Sequence, residues 1–238
     1  MSDPPAGSFD DQAGTVGRSG APTLAEDLLL LLFQPRSGTI AGENTLFYVL
    51  AGAVLADLAL GDHLTTTARG RVGTVEDRAP SDGLLRPAWD YLSEKPQGVQ
   101  TALAAIGPAL REPMLARLIA RGDIDQVPRK VLGLFPSTAL REGRTERRAR
   151  LLANVRRVLV EGAEPQTRVA ALAALLSASG TLPQFHPGIP WTSSVITRAK
   201  DLERGEWGAN AAAEAVTRTV TATVVNSAIV AITVLPRG

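Results

Sequence analysis

Two apolar runs near the start set the pattern of the chain. Residues 28–33 (LLLLLF) are apolar without interruption and stop at Pro35. After a Ser37-Gly38 turn, residues 45–60 form a second run whose only charge is Asp57. A helix that is apolar on every side belongs in the middle of a core or a bilayer. The second run holds 16 residues, short of the ~20 that span hydrocarbon. It predicts the buried central helix of a soluble domain, entered through Glu43-Asn44 as an N-terminal cap.

Downstream, apolar positions recur at helical spacing in 84–94 (Leu85, Trp89 and Leu92, with Pro87 in the first turn), 99–106, 110–121, 145–160, 166–177 and 191–204. Segments flanking tight turns predict two hairpins, at 63–77 around Arg69-Gly70 and at 124–136 around Pro128-Arg129. Residues 55–62 (LADLALGD) and 115–123 (LARLIARGD) nearly repeat. Each reads as an apolar helix that a glycine stops in the left-handed conformation before a hairpin. Residues 219–235 carry no charge. Their β-branched content would allow a strand, and four threonines, a serine and an asparagine argue against a membrane anchor. The preferred reading is a buried C-terminal helix against 45–60. Residues 1–22, rich in glycine, proline and aspartate and without apolar period, predict a disordered tail. The expectation is a mainly α, single-domain fold over 23–238, a buried central helix ringed by amphipathic helices, plus two short β-hairpins.

Charge narrows the partners little, because 25 basic against 24 acidic residues leave +1. Any anionic partner must be met by a local patch. The concentrated patch is 141–157, where seven arginines (141, 144, 147, 148, 150, 156, 157) face Glu142 and Glu146 for a balance of +5. Within it, Arg147, Arg150, Asn154 and Arg157 form a stripe opposite the apolar face. The stripe is either a phosphate-binding face, since arginine binds phosphate in a bidentate fork, or simply solvated helix surface. The chain has no cysteine, which excludes disulfides and thiolate chemistry, and two distant histidines, His63 and His186, exclude a histidine-rich metal centre. No nucleophile elbow, zinc-protease motif, phosphate loop or dinucleotide fingerprint occurs. No catalysis, cofactor or metal is expected. Glu26 and Asp27 read as acids favoured by a helix dipole, His63 as a local hydrogen-bonding residue and His186 as a loop residue. Only three of the basic residues are lysine, a bias that suggests GC-rich coding and a bacterial source. No secretory leader pattern is visible, so the expected compartment is the cytoplasm.

The order of features resembles the Golgi phosphoprotein 3 family, peripheral phosphatidylinositol 4-phosphate-binding proteins of the eukaryotic Golgi. The residues that carry this are LAEDLLLLLFQPRSGTI at 24–40, LADLALGDHL at 55–64, LARLIARGDI at 115–124, KVLGLFP at 130–136 and RRARLLANVRRVLVEG at 147–162. The resemblance implies a helical domain that binds lipid headgroups rather than catalysing a reaction. It implies a projecting second hairpin for self-association, through Leu132, Leu134 and Phe135. The family's headgroup pocket uses a tryptophan and three arginines. Here these positions hold Gly42, Ala51, Pro108 and, as the one arginine kept, Arg111, while Arg36 matches a family basic residue in the preceding turn. The expected function is therefore a non-enzymatic adaptor at the inner face of the membrane. It would bind anionic phospholipid headgroups of the phosphatidylinositol phosphate kind with degraded specificity, through Arg36, Arg111 and Arg117. A homo-oligomer and an unnamed protein partner are further expectations. The alternatives are a self-associating scaffold and a nucleic-acid-binding protein with tandem winged-helix-like units. The last is disfavoured because helices 45–60 and 110–121 are too apolar to enter a groove.

Overall fold

Helix α1 (Leu24–Leu32) starts from a capping box. The Thr23 hydroxyl accepts the Glu26 amide at 3.1 Å, and the Glu26 carboxylate accepts the Thr23 amide at 2.8 Å. Every residue of α1 is buried, Glu26 and Asp27 included. The structure, a computed structural model, describes residues 20–67, 69–131, 135–206, 222–224, 226–228 and 230. Most of the expected tail lies outside the described residues.

After α1 come β1 (Phe33–Gln34) and β2 (Thr39–Ile40), a two-residue antiparallel ladder with Phe33 opposite Ile40. Helix α2 (Leu46–Leu60) is buried without a break from Val49 to Ala59. It is the central helix, as its uniform apolarity predicted. Its entry differs. Thr45 is the N-cap and its side chain caps nothing, since its hydroxyl donates to the Gly42 carbonyl at 3.2 Å. Packing holds an enclosed helix with little help from a cap, and Glu43 and Asn44 sit exposed in the turn before it.

The first hairpin, β3 (Leu64–Thr66) with β4 (Val72–Thr74), is where the sequence put it. Helices α3 (Arg86–Glu94) and α4 (Val99–Ile106), a 3-10 turn (Gly107–Ala109) and α5 (Arg111–Ala120) follow. The two repeated helix ends share one hydrogen-bond pattern. His63 and Asp123 donate to Leu58 and Leu118 (2.8 and 2.9 Å), and Asp62 and Gly122 donate to Ala59 and Ile119 (3.0 and 2.9 Å). The left-handed residue is Gly122 (φ +72°) in the second unit but Asp62 (φ +54°) in the first. Gly61 has φ −89°. The extra residue in the second repeat shifts the glycine into register there alone, and aspartate is among the few side chains that visit this region.

The second hairpin is longer than expected. Strands β5 (Ile124–Val131) and β6 (Phe135–Glu142) pair from Ile124↔Glu142 to Val131↔Phe135. Pro128 lies opposite Thr138 in mid-strand and not at the turn. A two-stranded ribbon has only edges, where the missing N–H of proline can face outward. Helices α6 (Arg147–Leu159), α7 (Thr167–Ala178) and α8 (Ser193–Glu203) complete the ring, α8 capped by Thr192. Helices α1 and α2 pack against each other and both touch α7, with α4 against α2 and α5 and α6 against α1. Residues 222–224 and 226–228 are helical, with Val224 and Ala228 buried. Ala228 Cβ lies 3.5 Å from where a Cβ on Gly52 of α2 would stand, so this segment does lie on the central helix. Among the described residues no helix is long and apolar enough to cross a membrane.

Candidate functional site: a charged hub and an open groove

The buried N-terminus of α1 collects charge from other helices. Asp57 of α2 accepts the Leu24 and Ala25 amides (2.5 and 3.3 Å) through one oxygen and the Arg168 guanidinium of α7 (3.0 Å) through the other. Asp27 is held at 2.7 Å by both Arg147 and Arg168. Glu26 meets Arg121 at 3.3 Å and Arg117 at 3.6 Å, and Arg147 also bonds Asp123. Burial drives the Asp57 carboxyl up to about 7, against the pull of Arg168 and the two amides. Each acid of this hub has an arginine, and two free amides of the first helical turn, those of Leu24 and Ala25, find the Asp57 carboxyl. The hub ties α1, α2, α5, α6 and α7 together. Among the described residues no cluster of His, Asp or Glu is arranged to hold a metal ion.

The hub redistributes the arginines. Arg117 does not face solvent freely, because it bonds Asp82 at 2.8 Å as well as Glu26. Burial works to raise the Asp82 carboxyl, but Arg117 and the amides of Leu84 and Leu85 outweigh it and leave it below the usual range. Arg147 turns inward, away from the solvated stripe expected of it. Arg148 donates to the Phe33 carbonyl at 3.2 Å, and Arg156 to the Gly188 carbonyl at 3.1 Å. Arg141, Arg144, Arg150 and Arg157 stay exposed without an ion pair among the described residues.

A groove opens between α2 and α5, lined by Glu43, Leu46, Phe47, Gly107, Pro108 and Arg111, with a volume of about 560 Å³. Gly107 makes it possible for the 3-10 turn to sit on the first turn of α2, since a Cβ there would stand 2.5 Å from the Phe47 carbonyl oxygen. Arg111, at the start of α5, donates to Glu43 at 3.2 Å and to its neighbour Glu112 at 2.6 Å. Arg36 sits exposed in the turn between β1 and β2, without an ion pair among the described residues. That turn abuts β6, as a Cβ on Gly38 would come 2.6 Å from the Leu140 carbonyl oxygen. The structure thus places Arg36 at the hairpin side, Arg111 in the groove and Arg117 in the hub. Leu132 and Leu134 lie outside the described residues, and Phe135 opens β6.

The family model for Golgi phosphoprotein 3 (GPP34) matches residues 24–219, most of the chain. The chain belongs to the Golgi phosphoprotein 3 family. No curated protein matches it. In this member of the Golgi phosphoprotein 3 family the groove holds two of the four positions that the resemblance assigned to a headgroup pocket. Pro108 and Arg111 line it, and Gly42 is next to the lining Glu43. Ala51 stands one turn further along α2, wholly buried. A side chain on Gly42 would meet Thr181 at 3.3 Å. Glu43 is the lining residue that sequence reasoning missed. In sequence it reads as part of a helix cap, and its partner is 68 positions away, a distance at which local pattern carries no signal.

Proposed function

We propose that the protein is a non-enzymatic peripheral membrane adaptor that docks on anionic phospholipid surfaces. The groove beside Arg111 takes a headgroup phosphate, and Arg36 adds long-range attraction. The observation that carries this reading is the groove. It keeps one arginine in its wall at the place where the family resemblance puts headgroup binding. With glycine at 42 and a buried alanine at 51, recognition of inositol phosphates is weak and contact is largely electrostatic. Attachment at the cytoplasmic face and self-association through β5 and β6 belong to the same proposal. The nucleic-acid reading has less support, because α2 is enclosed, and the two bases of α5, Arg111 and Arg117, are each paired with acids.

Vesicle flotation tests the proposal. Binding to anionic vesicles is expected to be strong at low salt and weak at physiological salt, as the Debye length falls from ~30 Å at 0.01 M to ~8 Å at 0.15 M. Replacing Arg36 and Arg111 together by alanine should abolish it. Vesicle binding that is absent at low salt, or a double variant that binds like the parent, overturns the proposal.

A further inference from the structure

We infer that the groove selects an amine-bearing phosphate headgroup, phosphoethanolamine in its simplest form, with the phosphate on Arg111 and the ammonium on Glu43. The inference rests on the groove being a lipid site and names what that site prefers. A lone arginine in an open groove would favour the most highly charged phosphate available. Arg111 is not alone. Glu43 Oε1 lies 3.2 Å from one of its terminal nitrogens and Glu112 Oε1 2.6 Å from the other. The three side chains together carry a net negative charge. A headgroup with an added phosphomonoester therefore meets two carboxylates for one guanidinium.

A zwitterionic headgroup meets no such mismatch. Its phosphodiester takes the place of Glu43 on Arg111, and its ammonium, with three N–H donors, takes the place of Arg111 on Glu43. Parting the two side chains is easy, since they are 41% and 60% exposed and such pairs hold weakly. A quaternary ammonium has no N–H to give to Glu43. The remaining walls, Leu46, Phe47 and Pro108, are apolar and suit the ethylene and glycerol carbons. The volume, about 560 Å³, falls in the range of small-molecule sites, roughly 300–1,000 Å³.

The test holds surface charge constant. Full-length protein is floated with vesicles containing one fixed fraction of phosphatidylglycerol, the remainder being either phosphatidylcholine or phosphatidylethanolamine. In parallel, calorimetric titrations use soluble glycerophosphoethanolamine and glycerophosphocholine. Exchanging choline for ethanolamine should tighten vesicle binding about fivefold, the size of one exposed charge pair. Glu43→Gln should remove that gain, so that the variant binds the two kinds of vesicle alike, and Glu43→Asp should keep part of it. Equal binding to the two vesicles, a Glu43→Gln variant that keeps the gain, or tighter binding to phosphatidylinositol phosphate vesicles of equal charge overturns the inference and leaves the lipid-surface reading standing. Binding of soluble glycerophosphoethanolamine without any vesicle binding supports the amine site and overturns the membrane reading. No binding in either format overturns both.

Discussion

Asp57 stands where three demands meet. It is buried, it caps the first amides of α1, and it pairs with Arg168. Burial dominates, so its folded-state pKa of about 7 lies above the ordinary 3.8. A carboxyl raised by folding favours the fold when it is protonated. Its contribution is complete below roughly pH 4 and is lost as pH rises through the folded value. An amide in place of this carboxyl cannot titrate, so the Asp57→Asn variant supplies the reference. In urea unfolding at a series of pH values, the parent should lose more than about 1 kcal/mol relative to Asp57→Asn between roughly pH 4 and 7.5, the worth of about one pKa unit. A flat difference across that range would show that Asp57 stays ionised in the fold.

On helix α6, residues that share one sequence stripe live in different surroundings. Arg147 is the partner of both Asp27 and Asp123, with 12% of its side chain exposed, whereas Arg150 is exposed. Arg147→Ala takes its arginine from the buried Asp123 and one of two arginines from Asp27, and should cost about 3–5 kcal/mol in urea unfolding. Arg150→Ala should stay within about 0.5 kcal/mol. Equal costs would mean that the hub does not hold α6. This contrast marks the limit of reading elements from sequence. Periodicity located α6, and the uniform apolarity of residues 45–60 located the central helix, because both signals are local. The inward turn of Arg147 depends on acids 120 and 24 positions away, which no helical wheel contains. Pro128 misleads for another reason. Proline followed by arginine looks like a turn, and a ribbon made only of edge strands removes the penalty that would have forced one. In the groove, Arg111 was legible through family resemblance, while Glu43 was not, because only the fold brings it beside α5.

For the whole molecule, the expectation that concerns assembly is self-association through the ribbon of β5 and β6. Exposed apolar side chains on a projecting element commonly mark a contact. Light scattering at high micromolar concentration should report an oligomer that deletion of residues 127–133 disperses, and a parent monomer unchanged by the deletion rules this out. The hub has a separate consequence, for the order in which the molecule is made. Four of its ion pairs join residues 95 to 141 positions apart, and the two made by Arg168 close only after α7 has been synthesised. Helix α1 packs against α5, α6 and α7, and the last of these can cover it only then. At ~5–20 residues per second its leucine run waits on the order of ten seconds for its last neighbours. Non-local closure of this kind slows folding. The interval in which the nascent chain can aggregate is therefore set by translation rather than by the stability of the finished fold.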